Sequence, residues 1–387
     1  MNKFLIILSL SLYLHSCHSE AQEQQPKTDL NLILSNRILV DEDSNKAEII
    51  ELYKNYLTSN PESKNQNPYW NSKEQEKYEQ FNLSLPYLFQ GIGAKMLPRY
   101  MDLYLMTLEP SGKNRYTLRV QYQMKGGLKN GSSIWCIHQV DAVKEKGKWV
   151  LQNFLVQKTK DWKQESLNNI DYHFAPNYSI NKEKAKAASQ FVDSLKSLFG
   201  LESSSSPINY YLVKNADDLG ELMGFDYFFT GYTTGITKAE IGSIYTAHGE
   251  FHAHELVHLV LHQPNAKRHF LVEEGMAEFL GSKMQNPEKY KKERQLLIND
   301  FRNKADFSIT SILDRKMAFE GYNYNYAFGA AVVELVYQKA GIEGLKKLLS
   351  DVTHSDEGYL NTIKSIIDYK DLEELEKLLI NLNLSEN

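Results

Sequence analysis

Apolar residues recur every three or four positions in NKAEIIELYKNYL (45–57), the spacing of an amphipathic helix. Further along, RYTLRVQYQM (115–124), SIWCIHQVDAV (133–143) and KWVLQNFLVQ (148–157) alternate apolar with polar, which predicts half-buried strands. KEKGK (144–148) reads as the turn that joins the last two into a hairpin. A boundary is expected near KQESLNNIDYHFAPNYS (163–179). Helical spacing resumes in NKEKAKAASQFVDSLKSLFG (181–200), with Gly200 as its stop signal. ESSSSP (202–207) reads as a loop, INYYLV (208–213) as a strand and GITKAEIGSIYTA (235–247) as a strand or hairpin. From there to the end the pattern is mostly helical. No internal repeat is visible. The expected class is α+β. An N-terminal unit over 32–165 has helix first and antiparallel sheet later. A second unit over 170–387 has a small sheet and a mostly helical C-terminal part.

The N-terminus follows a different rule. MNKFLIILSLSLYLHSC has one positive residue, Lys3, and an apolar run from Phe4 to Leu14 that is too short to span a bilayer. It reads as an export signal over 1–16. LHSC (14–17) resembles a bacterial lipobox, which implies that Cys17 is lipidated as the first residue of the mature chain. A lipid there would tether the protein to a membrane of the bacterial envelope without crossing it. A plain secretory signal is the alternative. The polar residues up to 31 read as a flexible tether. Cys136 is the other cysteine. With Cys17 acylated it has no partner, and it reads as a small buried apolar residue. Trp135 and His138, on the same predicted strand, read as packing.

Composition and charge narrow the field only a little. A hydrophobic fraction of 42% with 24% charged residues suits a folded protein rather than a disordered one. A net charge of −5 gives no electrostatic reason to expect nucleic acid.

The chemistry concentrates in FHAHELVHLVLHQ (251–263), which holds four histidines and a glutamate. Within it, His254-Glu255-Leu256-Val257-His258 has two histidines four apart, on one face of a helix, where both can meet one ion. Glu255 stands beside the first and can act as the base that takes a proton from water. Leu256, Val257, Val260 and Leu261 fill the other faces, so the helix is expected to be buried. Buried histidines need partners, and a metal would supply one. His258 and His262 form a second pair without an intervening glutamate. His248 and His252 lie just before the helix. A third ligand is expected from FLVEEGMAEFLGSK (270–283), with Glu274 and Glu273 as competitors. Glu278, four after Glu274, could accept a bond from a ligand imidazole and fix its tautomer.

HELVH followed by EEGMAEFLG resembles the gluzincin branch of zinc metallopeptidases, closest to the peptidase MA-like type of bacterial domain. That branch includes thermolysin and the large zinc aminopeptidases. The resemblance spans about 170–350. It implies that His254, His258 and Glu274 bind Zn2+, that Glu255 is the general base, and that a peptide or protein is the substrate. YNYNYAFGAAVVELVYQKAG (322–341) resembles the tyrosine-then-glycine helix of the same domains. By that likeness Tyr326, ahead of Tyr322 and Tyr324, would stabilise an oxyanion. The substrate is expected to lie extended against an edge strand within 229–246. The G-x-M-E-N segment of the aminopeptidases is absent from the sequence, which favours an endopeptidase. A non-catalytic zinc protein that grips a peptide or protein partner is the alternative. The N-terminal unit carries no motif. Its element order is similar to that of the nuclear transport factor 2-like fold.

Overall fold

The alternating stretches build two sheets with helices packed around them, so the protein is α+β. The structure is a computed structural model. It describes residues 30–38, 43–59, 61, 66–78, 80–88, 96–128, 131–202, 206–264, 266, 268–304, 306–314 and 324–382. Cys17, the 1–16 signal, residues 17–29 of the tether, and Tyr322 lie outside the described residues. Among the described residues, no helix is long and apolar enough to cross a membrane.

The first sheet is a meander of β2 (Met101–Gly112), β3 (Arg115–Met124), β4 (Ile134–Glu145) and β5 (Lys148–Asn153), with β1 (Leu32–Leu34) added parallel to β2. Helix α1 (Ser44–Thr58) turns Ile49, Ile50, Leu52, Tyr53, Tyr56 and Leu57 inward, as its spacing predicts. Asp43 caps it by accepting a bond from the Asn45 amide. The strand expected over 148–157 stops at Asn153. Leu155–Lys158 is one helical turn that buries Leu155 and leaves Val156 exposed, so the alternation there was only apparent. Cys136, Trp135 and His138 are buried in this core, and the His138 Nε2 pairs with the Ser84 hydroxyl at 2.7 Å.

The second sheet runs β10-β11-β8-β7-β6, where β6 is Lys163–Leu167, β7 Ile170–Phe174, β8 Ile208–Leu212, β10 Gly235–Lys238 and β11 Ser243–Thr246. Residues expected to separate the two units therefore supply its hairpin β6–β7. Between β7 and β8 runs α2 (Lys182–Phe199), capped by Asn181 and ended by Gly200 at φ 67°. The sheet is sandwiched. Tyr172, Tyr210, Leu212 and Ile244 face a core shared with the C-terminal helices, whereas Tyr211, Val213 and Tyr245 face the core of the first sheet. One strand thus serves two cores, each taking alternate positions.

An excursion locks the halves together. After β8 the chain leaves the second sheet, forms α3 (Ala216–Leu222), and adds β9 (Phe225–Phe228) to β4 of the first sheet. It then returns as β10. Gly224 makes the entry possible: its φ is +87°, and a Cβ there would sit 2.6 Å from the Gln139 carbonyl oxygen. The remaining helices that matter for the site are α4 (Ala253–Val260), α5 (Phe270–Met276) and α6 (Pro287–Asn303). They are joined by α7 (Ile309–Leu313) and α8 (Tyr324–Ser350), the last broken at Gly341.

Candidate metal centre

Helix α4 carries the histidine motif, and its apolar face explains where it sits. Leu256, Val257 and Val260 enter the core against the second sheet. At its start, the His252 amide donates to the Tyr210 hydroxyl at 2.9 Å and the Ala253 amide to Gln285 Oε1 at 3.1 Å. With the helix fixed in this way, His254 and His258 project from one face toward α5.

Helix α5 is set by its own cap and by glycines. His269 Nδ1 accepts the Leu271 amide, and its Nε2 pairs with Asp356 at 2.8 Å. A Cβ on Gly275 would lie 2.6 Å from the Gly329 backbone of α8. A Cβ on Gly281 would lie 2.8 Å from the backbone of Ala253 and His254. Only glycine lets three helices approach this closely. After Met276 the helix widens into a π turn, Ala277–Ser282, a distortion that often accompanies functional sites. It carries Glu278 and Ser282 to the back of the His254 ring.

The result is a convergence of three donor atoms. His254 Nε2 and His258 Nε2 are 3.1 Å apart. Glu274 Oε2 lies 3.2 Å from the first and 3.5 Å from the second. Tetrahedral ligands about 2.05 Å from a zinc ion stand about 3.3 Å from one another. The three edges match that spacing. Glu274 Oε2 is buried, and despite these short distances its angles make no hydrogen bond to either ring. Three ligand atoms at this mutual spacing could hold one cation.

The electrostatics agree. On the far side of His254, Nδ1 lies 3.3 Å from Glu278 Oε1 and 3.4 Å from Ser282 Oγ. A proton held on Nδ1 by Glu278 leaves the Nε2 lone pair facing the centre. Burial works against a charged His254, but Glu274 and Glu278 outweigh it and push the imidazole up to about 10. Burial would raise Glu274, yet the two imidazoles hold it down to about 2. The pocket is built to hold positive charge.

Adjacent residues resolve the choices left open by the sequence. Glu273 turns away and pairs with the buried guanidinium of Arg268 at 2.8 Å. Glu274, one residue on, faces the histidines. Tyr324 points to Asp300 on α6, not to the centre, so it is no oxyanion candidate. Tyr326 stacks on His254 with ring centroids 6.2 Å apart, which places its phenol beside the Glu274 carboxylate. Burial and the neighbouring carboxylates raise this phenol, so it remains a donor. Phe270 meets Tyr326 edge-on at 5.7 Å and is partly exposed beside it. His262 is exposed beyond the end of α4 and joins nothing here. His252 lies close by, with its Nδ1 2.9 Å from Thr246 Oγ1. Burial and the neighbouring imidazoles hold it well below the usual histidine range, so it is neutral. His248 is exposed and pairs with Thr234 at 2.8 Å.

Glu255 is buried beneath β10, the edge strand of the second sheet. Its Oε2 accepts the Thr237 hydroxyl at 2.7 Å. A Cβ on Gly235 would fall 2.6 Å from Glu255 Oε1 and 2.5 Å from His252 Cε1. Sequence reasoning missed Thr237, Gly235 and Ser282. Nothing in their local context marks them, since each acts across a gap of many residues. No family model matches the chain, and no curated protein matches it.

Proposed function

We propose that this protein is a zinc-dependent peptidase of the gluzincin type, tethered to a bacterial envelope membrane through lipid on Cys17. The observation that carries the reading is the donor triangle of His254, His258 and Glu274, with edges of 3.1, 3.2 and 3.5 Å. These three side chains would hold the ion. Bound there, zinc would acidify a water and polarise a substrate carbonyl. Glu278 and Ser282 fix the orientation of His254, and the Tyr326 ring packs against it. Glu255 takes the proton from water and returns it to the departing amine nitrogen. An extended peptide adds to the edge that β10 forms among the described residues, by main-chain pairing that brings its backbone over Glu255. The sequence lacks the amine-binding segment of the aminopeptidases, which favours cleavage within a chain.

Elemental analysis and a mixed-peptide assay test the reading together. The wild-type protein should carry about one zinc per chain, and His258→Ala should carry far less. Glu255→Gln should keep zinc while cleavage falls by about 10²–10⁴-fold. Wild-type cleavage by Glu255→Gln removes Glu255 from the role. A zinc-loaded wild type that cleaves no peptide would instead mark a binding protein.

A further inference from the structure

The general base of the proposed reaction does not stand alone. Its carboxylate has two oxygens with different surroundings. Oε2 receives the Thr237 hydroxyl at 2.7 Å, and the same hydroxyl lies 3.0 Å from the Glu255 main-chain oxygen. A hydroxyl has one proton to give, and the shorter, charge-assisted bond to the carboxylate is the stronger claim on it. Oε1 lies instead under Gly235, at a place where any Cβ would be 2.6 Å away. One oxygen is pinned by the threonine, and the other lies close to the strand at a glycine, where no side chain stands over it.

We infer that Thr237 is a positioning residue: it locks Glu255 so that Oε1 alone is presented to the water and the substrate. This rests on the peptidase reading above. The geometry gives the threonine a particular leverage. It sits on β10, the strand that the substrate would join, so pairing along that edge and orientation of the base share one element. The strand is in turn held from its N-terminal side. Tyr232, three residues before Gly235, is buried in the first sheet's core, where its ring packs at a tilt against Tyr87 with centroids 4.5 Å apart. Strand β9, just upstream, is hydrogen-bonded into that sheet. Thr237 therefore approaches Glu255 from a strand anchored in the other half of the molecule. A carboxylate without such a bond is free to rotate about its last torsion, and misorientation of a catalytic group is costly to the chemical step.

The test compares Thr237→Val, which keeps the shape and removes the hydroxyl, with Thr237→Ser, which keeps the hydroxyl. Both are purified as full-length zinc-loaded protein. Zinc content and KM should stay within about twofold of wild type in both. In Thr237→Val kcat should fall about 10–100-fold, and Thr237→Ser should recover most of it. A second readout needs no turnover. Acetohydroxamic acid, a zinc ligand that surrenders a proton to a nearby carboxylate on binding, should bind Thr237→Val about tenfold more weakly and Thr237→Ser nearly normally. Should Thr237→Val fail to fold, Thr237→Ala against Thr237→Ser makes the same comparison. Equal kcat and equal hydroxamate affinity in wild type and Thr237→Val overturn the inference. So does a serine variant no better than the valine. If wild-type protein cleaves nothing, the peptidase reading falls, and the hydroxamate series still decides the role of Thr237.

Discussion

At the scale of single residues, His254 is the hinge of the site. It is bracketed on both ring nitrogens, by Glu274 at 3.2 Å and Glu278 at 3.3 Å. Without an ion those carboxylates keep a proton on the ring, with its pKa pushed up to about 10. On the proposed reading, a zinc ion bound there would displace that proton from Nε2. Because the raised pKa lies above neutral, the displacement occurs throughout the neutral range. Zinc added to chelator-treated protein in weak buffer should release about one proton per ion, and apparent affinity should rise about tenfold per pH unit between about pH 6 and pH 9. Indicator-dye titration measures both. A flat affinity over that range would mean His254 is already neutral in the metal-free protein. The same scale shows how finely helix geometry discriminates. Glu273 and Glu274 are neighbours, yet successive residues on a helix point about 100° apart. One finds Arg268 and the other the histidines. Tyr324 and Tyr326, two apart, likewise point to opposite sides, toward Asp300 and His254.

At the scale of elements, the site depends on how closely helices cross. The E-G and Y-x-x-G patterns place Gly275 and Gly329 against each other, where each glycine leaves no room for a methyl group. Gly275→Ala would force α5 and α8 apart and draw Glu274 and Tyr326 out of register. The expected cost is about 1–3 kcal/mol of stability, as for overpacking elsewhere, together with weaker zinc retention. Denaturant unfolding and a competitive chelator measure the two effects. Unchanged values in both would show that the crossing has slack. The elements themselves were unevenly legible. Helices α1 and α2 and the hairpins β4–β5 and β10–β11 follow from periodicity, because each buries a single face. The boundary expected at 163–179 contains the hairpin β6–β7, and β2, α3 and β9 were not foreseen. Strand β9 is only four residues long, and it is a strand because β4 offers it an edge.

At the scale of the whole molecule, the two cores share a wall. Tyr210 and Tyr211 are adjacent in the chain, yet they pack into different cores on opposite faces of β8. Strand β9 and Tyr232 extend the second half into the first. Loss of one core therefore strips the other of packing, and unfolding should be cooperative across both. The four tryptophans, Trp70, Trp135, Trp149 and Trp162, all precede β6, whereas the donor triangle lies beyond it. Tryptophan fluorescence and zinc release consequently report on different halves. In a denaturant titration the two should change together, within the error of one transition. Two separated transitions would show that the halves fold independently.

The sequence by itself determined the α+β class, the buried histidine helix, and the pairing of that helix with an acidic one downstream. Those features are local: two residues four apart share a helix face whatever surrounds them, and a run of alternating residues states its own period. Tertiary structure alone decided that Glu274 and not Glu273 faces the rings, that Tyr326 and not Tyr324 reaches the centre, and that Thr237 and Gly235 frame Glu255. Each of these depends on which side chain a distant segment brings within about 3 Å, and hydrogen bonding and packing act only at that range.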